Sequence, residues 1–206
     1  DTKVDSKGGA SSVMVADGKV VALVDRLTAF DAKTGEKLWQ NSDISGKTAS
    51  PNLLNVNGKI EIVCNSRRSV MGVDLATGKT LWIYDPKTYE NGTPANIGFV
   101  HRGVSYWEDG QDRRIIYATG DAYLIALNAD TGRPIPSFGE EGRVDLTQGL
   151  RRPIDRSLYA CSSPPVICRD VVVTGSTVLD AFAINQVPRR VMPPGDVRGF
   201  DVRTGK

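Results

Sequence analysis

One histidine and three cysteines in 206 residues leave few soft metal ligands, and with no CxxC pair the chain is poorly supplied for a zinc site. No apolar run approaches the roughly 18–20 residues that a membrane span needs. Charge of one sign is not in excess either. A net charge of +2 gives no electrostatic footprint for nucleic acid or an anionic membrane. Asp1-Thr2-Lys3-Val4-Asp5 is polar and mixed in charge, unlike a secretory leader, and the missing initiator Met reads as a processed or excised chain. No segment sustains a helical period.

What the chain does have is punctuation. Twenty-one glycines and eleven prolines fall in clusters between short apolar runs, the pattern of a turn-rich β protein. Four segments share the form apolar, Asp or Asn, two residues, Thr-Gly. Their turns are Asp31–Gly35, Asp74–Gly78, Asn128–Gly132 and Asp201–Gly205, and the glycines are spaced by 43, 54 and 73 residues. A unit of about 43 fits one four-stranded propeller blade, with insertions lengthening the later two. The carboxylate or amide closes an Asx-type turn, and the glycine takes a positive φ that a Cβ resists. Trp39 and Trp82 follow at the same offset from their glycines, which predicts that both are buried between neighbouring blades.

A second hairpin precedes each motif, turning at Asp17-Gly18, Asn57-Gly58, Asp109-Gly110 and Arg169-Asp170. Two hairpins per unit predict an all-β chain of about four four-stranded blades, at about 10–45, 50–87, 100–138 and 160–206. Insertions fall near 88–99, 139–159 and 181–195. The whole of 1–206 reads as one partial β-propeller, lacking the fourth strand of its last blade. Cys64, Cys161 and Cys168 read as small buried hydrophobes, with a Cys161–Cys168 disulfide also open. His101, the single histidine, reads as structural.

From about Trp82 to Lys206 the chain resembles the quinoprotein alcohol and glucose dehydrogenases, eight-bladed propellers that carry pyrroloquinoline quinone on the axis. The resemblance rests on Leu81-Trp82-Ile83-Tyr84-Asp85-Pro86, on His101-Arg102-Gly103-Val104-Ser105-Tyr106-Trp107, and on Ala118-Thr119-Gly120-Asp121. It continues through Ser162-Ser163-Pro164-Pro165-Val166 and Pro193-Pro194-Gly195-Asp196-Val197-Arg198-Gly199-Phe200-Asp201. By that match Arg102, Thr119 and Thr177 bind the cofactor, as guanidinium and hydroxyl partners for its carboxylates. Asp180 helps bind Ca²⁺, a cation that prefers hard oxygen ligands and acts as a Lewis acid on the quinone. No residue matches the family's catalytic aspartate. The first 80 residues look like generic repeats of this type, which also occur in scaffolding propellers.

The resemblance implies a fragment of a periplasmic dehydrogenase that oxidises a sugar or alcohol and passes electrons to a quinone or cytochrome. It also raises a homodimer that closes the propeller. A non-enzymatic assembly scaffold and an engineered blade array are the competing readings.

Overall fold

The computed structural model describes residues 11–46, 48–66, 68–94, 98–178 and 193–206. Apart from two short 3-10 turns, Thr88–Asn91 and Arg156–Leu158, its regular elements are strands.

The second blade shows the plan most plainly. Strands β4 (Asn52–Val56), β5 (Lys59–Ser66), β6 (Ser69–Asp74) and β7 (Thr80–Tyr84) pair antiparallel in sequence order. The Asn57-Gly58 hairpin has φ of 53° and 78°, both positive, the twist that matches two tightly joined strands. The third blade repeats the plan with β8 (Ser105–Asp109), β9 (Asp112–Ala118), β10 (Tyr123–Asn128) and β11 (Arg143–Asp145). Its outer strand β11 lies inside the stretch that sequence alone marks as an insertion, because residues 129–142 make a detour before the chain rejoins the sheet.

The first blade comprises β1 (Met14–Ala16), β2 (Lys19–Asp31) and β3 (Lys37–Gly46). A straight strand as long as β2 would span about 40 Å. Yet the Ala32 N–H donates to the Gly18 carbonyl at 2.8 Å, so the two ends of β2 meet. The strand therefore reverses on itself, at Asp25 with φ 72°, and supplies both middle strands of a four-stranded blade. The last blade has three strands, β13 (Val166–Cys168), β14 (Val171–Thr174) and β16 (Arg198–Asp201). Beside it β12 (Tyr159–Ala160) pairs with β15 (Thr177–Val178), a short sheet that the repeat pattern does not announce.

All four Thr-Gly turns are built alike. One side-chain oxygen of Asp31, Asp74, Asn128 or Asp201 accepts both the N–H and the hydroxyl of the threonine three residues on, at 2.7–3.1 Å. The glycine N–H returns to the carbonyl of the same residue, with glycine φ between 67° and 74°.

Burial explains why the middle strands read as continuous apolar runs. Neighbouring residues on a strand point to opposite faces, and in the second and third blades both faces are covered by another blade. Ile62 packs toward the first blade with Leu23, Leu27 and Met71, while Val63 packs toward the third with Leu54, Ile115 and Leu127. Ile116 turns the other way, toward Leu124, Val172 and Phe200.

Trp39 and Trp82 do lie between blades, each against the motif glycine of the next one. A Cβ on Gly78 would stand 2.5 Å from the Trp39 ring, and one on Gly132 would stand 2.2 Å from the Trp82 ring. Both indoles are half-buried rather than buried. Cys64 and Cys161 are buried as expected, and Cys168 departs from expectation. All three are free, and Cys168 is exposed at the end of edge strand β13, so it is no core hydrophobe.

Candidate functional site

The first strands of adjacent blades come together, β1 with β4 and β8 with β13, and so form the inner wall. Just before each, a residue is hydrogen-bonded to its counterpart in another blade. The Ser12 N–H donates to Ser50 Oγ at 3.0 Å and the Ser50 N–H to the Arg102 carbonyl at 3.0 Å. The Arg102 N–H donates to the Ser162 carbonyl at 3.1 Å. Backbone of all four blades is thereby tied into one arc.

Arg102 thus belongs to the inner wall. Its side chain is exposed, and among the described residues its guanidinium makes no hydrogen bond or ion pair. Thr177 reaches the same arc from the other side, with its Oγ1 3.2 Å from Ser162 Oγ. Ser162 therefore joins the two, through its carbonyl to Arg102 and through its hydroxyl to Thr177. Next to this pair lies a pocket of about 140 Å³ lined by Ser162, Ser163, Pro164, Thr174, Gly175, Ser176 and Thr177.

Thr119 is placed differently. It is 1% exposed and starts the turn between β9 and β10. Its Oγ1 accepts the Tyr123 N–H at 2.9 Å and donates to the Tyr123 carbonyl at 3.3 Å. With its one proton directed inward, donation to a carboxylate would require the hydroxyl to rotate away from the turn. Asp180 lies outside the described residues. Among those residues no group of three His, Cys, Asp or Glu side chains could hold a metal ion.

One residue near the arc escaped assignment, and the single histidine, expected to be structural, is buried. Ser162 sits in an unremarkable Ser-Ser-Pro-Pro run, and only the pairing of β12 with β15 brings it to Thr177. His101 is 7% exposed and packs edge-on against Tyr117, with ring centroids 4.5 Å apart. Its Nδ1 accepts the Gly103 N–H at 3.2 Å. Burial pulls its pKa down to about 4, an effect that the nearby Ala118 carbonyl opposes and Arg102 reinforces. His101 is therefore neutral near pH 7, with Nδ1 as acceptor and the proton on Nε2.

The sequence pattern of the glucose/ethanol/alcohol dehydrogenase β-propeller domain matches residues 54–206. The chain belongs to that family. A second pattern, that of the outer membrane protein assembly factor BamB, matches residues 2–105. A quinoprotein glucose dehydrogenase of Gluconobacter oxydans is 32% identical over 161 residues, covering 70% of this chain and 19% of the relative. Quinoprotein glucose dehydrogenase A of Acinetobacter calcoaceticus is 29% identical over 203 residues, 88% of this chain and 24% of the relative. The chain thus spans about a quarter or less of these relatives. Among solved structures, the quinohemoprotein alcohol dehydrogenase of Comamonas testosteroni superposes with a TM-score of 0.56 at 21% identity, over 78% of this chain and 20% of that one. BamB from Moraxella catarrhalis gives 0.57 at 17% identity, over 97% and 51%. Both share the fold.

An arginine of the inner wall whose guanidinium is unpaired among the described residues, with its backbone bonded to Ser162 of a serine–threonine hydroxyl pair, offers donor types that suit a polycarboxylate such as pyrroloquinoline quinone. The described residues do not by themselves suit a calcium ion, which takes six to eight oxygen ligands.

Proposed function

We propose that this chain is the part of a periplasmic quinoprotein dehydrogenase that grips the carboxylates of pyrroloquinoline quinone. The observation that carries the reading is the inner wall, where the Arg102 N–H donates to the Ser162 carbonyl, Ser162 Oγ lies 3.2 Å from Thr177 Oγ1, and the exposed Arg102 guanidinium has no hydrogen bond or ion pair among the described residues. When bound, the cofactor supplies an electrophilic quinone that accepts hydride from a sugar or alcohol and returns electrons to a quinone or cytochrome.

The chain's own residues bind and orient. Arg102 offers a forked donor for a carboxylate. Ser162 and Thr177 share one proton between their oxygens, which leaves the other hydroxyl free to donate outward. Thr119 holds the turn behind this wall and would join the donors by rotating its proton. Asp180 is assigned to calcium on the strength of the family match alone. No base for the substrate hydroxyl is assigned to this chain, so we expect no turnover of glucose or simple alcohols without further blades. A homodimer that completes the ring belongs to the same proposal.

Titrating the cofactor into the purified protein, followed by its absorbance, tests the reading. Arg102→Ala should weaken binding roughly 10- to 150-fold through the loss of a charge-assisted hydrogen bond worth about 1.5–3 kcal/mol. Thr177→Ala should cost less. Asp180→Asn should raise the calcium concentration needed for reconstitution, and an unchanged requirement would remove Asp180 from the metal site. The match of residues 2–105 to BamB favours a second reading, an assembly scaffold without cofactor. Cofactor affinity indifferent to Arg102 and Thr177 would favour the scaffold.

A further inference from the structure

The segment that follows the second blade is fastened to a turn of the third. The 3-10 turn Thr88–Asn91 ends in Asn91-Gly92, and the Asn91 Nδ2–H donates to Asp121 Oδ2 at 2.9 Å. Pro94 lies so close to Gly120 that a Cβ on that glycine would stand 2.9 Å from its ring. These two contacts clasp residues 88–94 to the turn at 119–122. Asp121 is 9% exposed, and its carbonyl accepts from the Arg156 guanidinium at 2.8 Å. Its Oδ1 is buried with no hydrogen-bond partner among the described residues. So enclosed, the Asp121 carboxylate accommodates the Asn91 amide because that amide donates. A second carboxylate in the same place would repel it.

Asn91 carries the means of that exchange in its own sequence. An asparagine loses its side-chain nitrogen when the backbone nitrogen of the next residue attacks its Cγ. Glycine as that next residue opposes the approach least, having no Cβ and the widest backbone freedom. Asn91 and Gly92 are both exposed, and a Cβ on Gly92 would meet nothing within 4 Å among the described residues, so water reaches the pair. The Gly92 N–H is held by one bond, to the Tyr89 carbonyl at 3.2 Å, and lies in no strand. The chain's other Asn-Gly pair is built differently. Asn57-Gly58 is locked between Val56 and Lys59, which pair across β4 and β5, and the Gly58 N–H donates to Asn55 Oδ1 at 3.0 Å.

We propose that Asn91 is a self-modification site, whose conversion to aspartate or isoaspartate unclasps residues 88–94 from the turn at 119–122. The Gly92 nitrogen bonds to Asn91 Cγ, the bond from Cγ to Nδ2 breaks, and the Gly92 proton leaves with Nδ2 as ammonia. Water then opens the five-membered imide at either carbonyl. One water is consumed, one ammonia is released, and nothing is oxidised or reduced. The product carries a carboxylate where the amide donor was, facing Asp121. No cofactor and no part of the Arg102–Ser162–Thr177 wall takes part.

The test is peptide mapping by mass spectrometry of the purified protein held at mildly alkaline pH. The Asn91 peptide should gain the mass of an amide-to-acid conversion and separate into aspartate and isoaspartate forms. It should do so roughly tenfold faster than the Asn57 peptide, whose reaction waits on the opening of a strand ladder. Hydrogen exchange reads the consequence. Asn91→Asp should lower protection of the Ala122 N–H, which donates to the Thr119 carbonyl at 3.1 Å, and of the Tyr123 N–H, which donates to Thr119 Oγ1 at 2.9 Å. Asn91→Ala, which drops the hydrogen bond without adding charge, should lower it less. If Asn91→Asp does not fold, the same exchange is read on aged wild-type protein. An Asn91 that stays an amide while the urea-unfolded chain converts, or that converts no faster than Asn57, would overturn the proposal. So would wild-type protection at Ala122 and Tyr123 in the converted or Asn91→Asp protein.

Discussion

The two interfaces among the first three blades and the one between the third and fourth close the same gap by different chemistry. In the former an indole covers the motif glycine of the next blade, Trp39 over Gly78 and Trp82 over Gly132. At Gly205 no tryptophan is present, and Val144 and Phe138 fill the space. Polar groups complete that contact. Arg114, buried, donates to the carbonyls of Val202 and Arg203 and pairs with Asp112. Arg203 reaches across to Asp109 and stacks 4.6 Å from Trp107. The motif glycine is the fixed element, and whatever covers it can be exchanged.

The hardest test of that comparison is a single methyl group. Gly132→Ala adds a Cβ 2.2 Å from the Trp82 ring at a φ of 67°, so overpacking and backbone strain coincide. The expected loss is roughly 2–5 kcal/mol. Gly35→Ala has a similar φ of 74° but nothing within 4 Å, and should lose only about 1–2 kcal/mol. Urea unfolding of both variants checks this, and equal losses would show that the indole contact contributes nothing beyond the turn.

A smaller effect separates the two tryptophans. The Trp39 Nε1–H donates to the Leu75 carbonyl at 3.0 Å, whereas Trp82 Nε1 is buried with no hydrogen-bond partner among the described residues. Trp39→Phe should therefore cost about 0.5–1.5 kcal/mol more than Trp82→Phe, through the lost hydrogen bond. Melting curves of the pair would reveal it.

The smallest effect is set by acid. Threonine hydrogen bonds, from the backbone N–H most strongly at Asp31 and from the hydroxyl most strongly at Asp74 and Asp201, hold these carboxyls below the usual carboxylate range. A folded-state pKa below the unfolded one stabilises fully above the ordinary value of 3.8 and is lost as pH falls through the lowered value. Asn128 has no proton to gain. Between pH 5 and 2, protection of the amide N–H against exchange, taken relative to the intrinsic rate at each pH, should fall at Thr34, Thr77 and Thr204 and change least at Thr131. A uniform loss of protection at all four would contradict the local origin of the effect.

The same contrast marks what could be read in advance. The Thr-Gly turns, the hairpins and the two tryptophans were legible because each rests on residues only a few positions apart, with side-chain chemistry that dictates the geometry. The reversal at Asp25, the late strand β11 and the meeting of Ser162 with Thr177 were not. Each depends on closure between distant segments, which no local pattern encodes. Phe138 and Val144 were invisible as a substitute for tryptophan, since the detour after Gly132 destroys the offset. Of the candidate site, the family match pointed to Arg102 and Thr177 but could not supply Ser162.

The arc along the inner wall has a consequence for how such a protein can change. Two of its three links, Ser50 to Arg102 and Arg102 to Ser162, run from main chain to main chain. The side chains at 102 and 162 can therefore be replaced while the hoop keeps its tension. Only Ser50, whose hydroxyl carries the link to Ser12, is bound by its identity. A lineage can rewrite the specificity of this wall one residue at a time without first rebuilding what holds it upright.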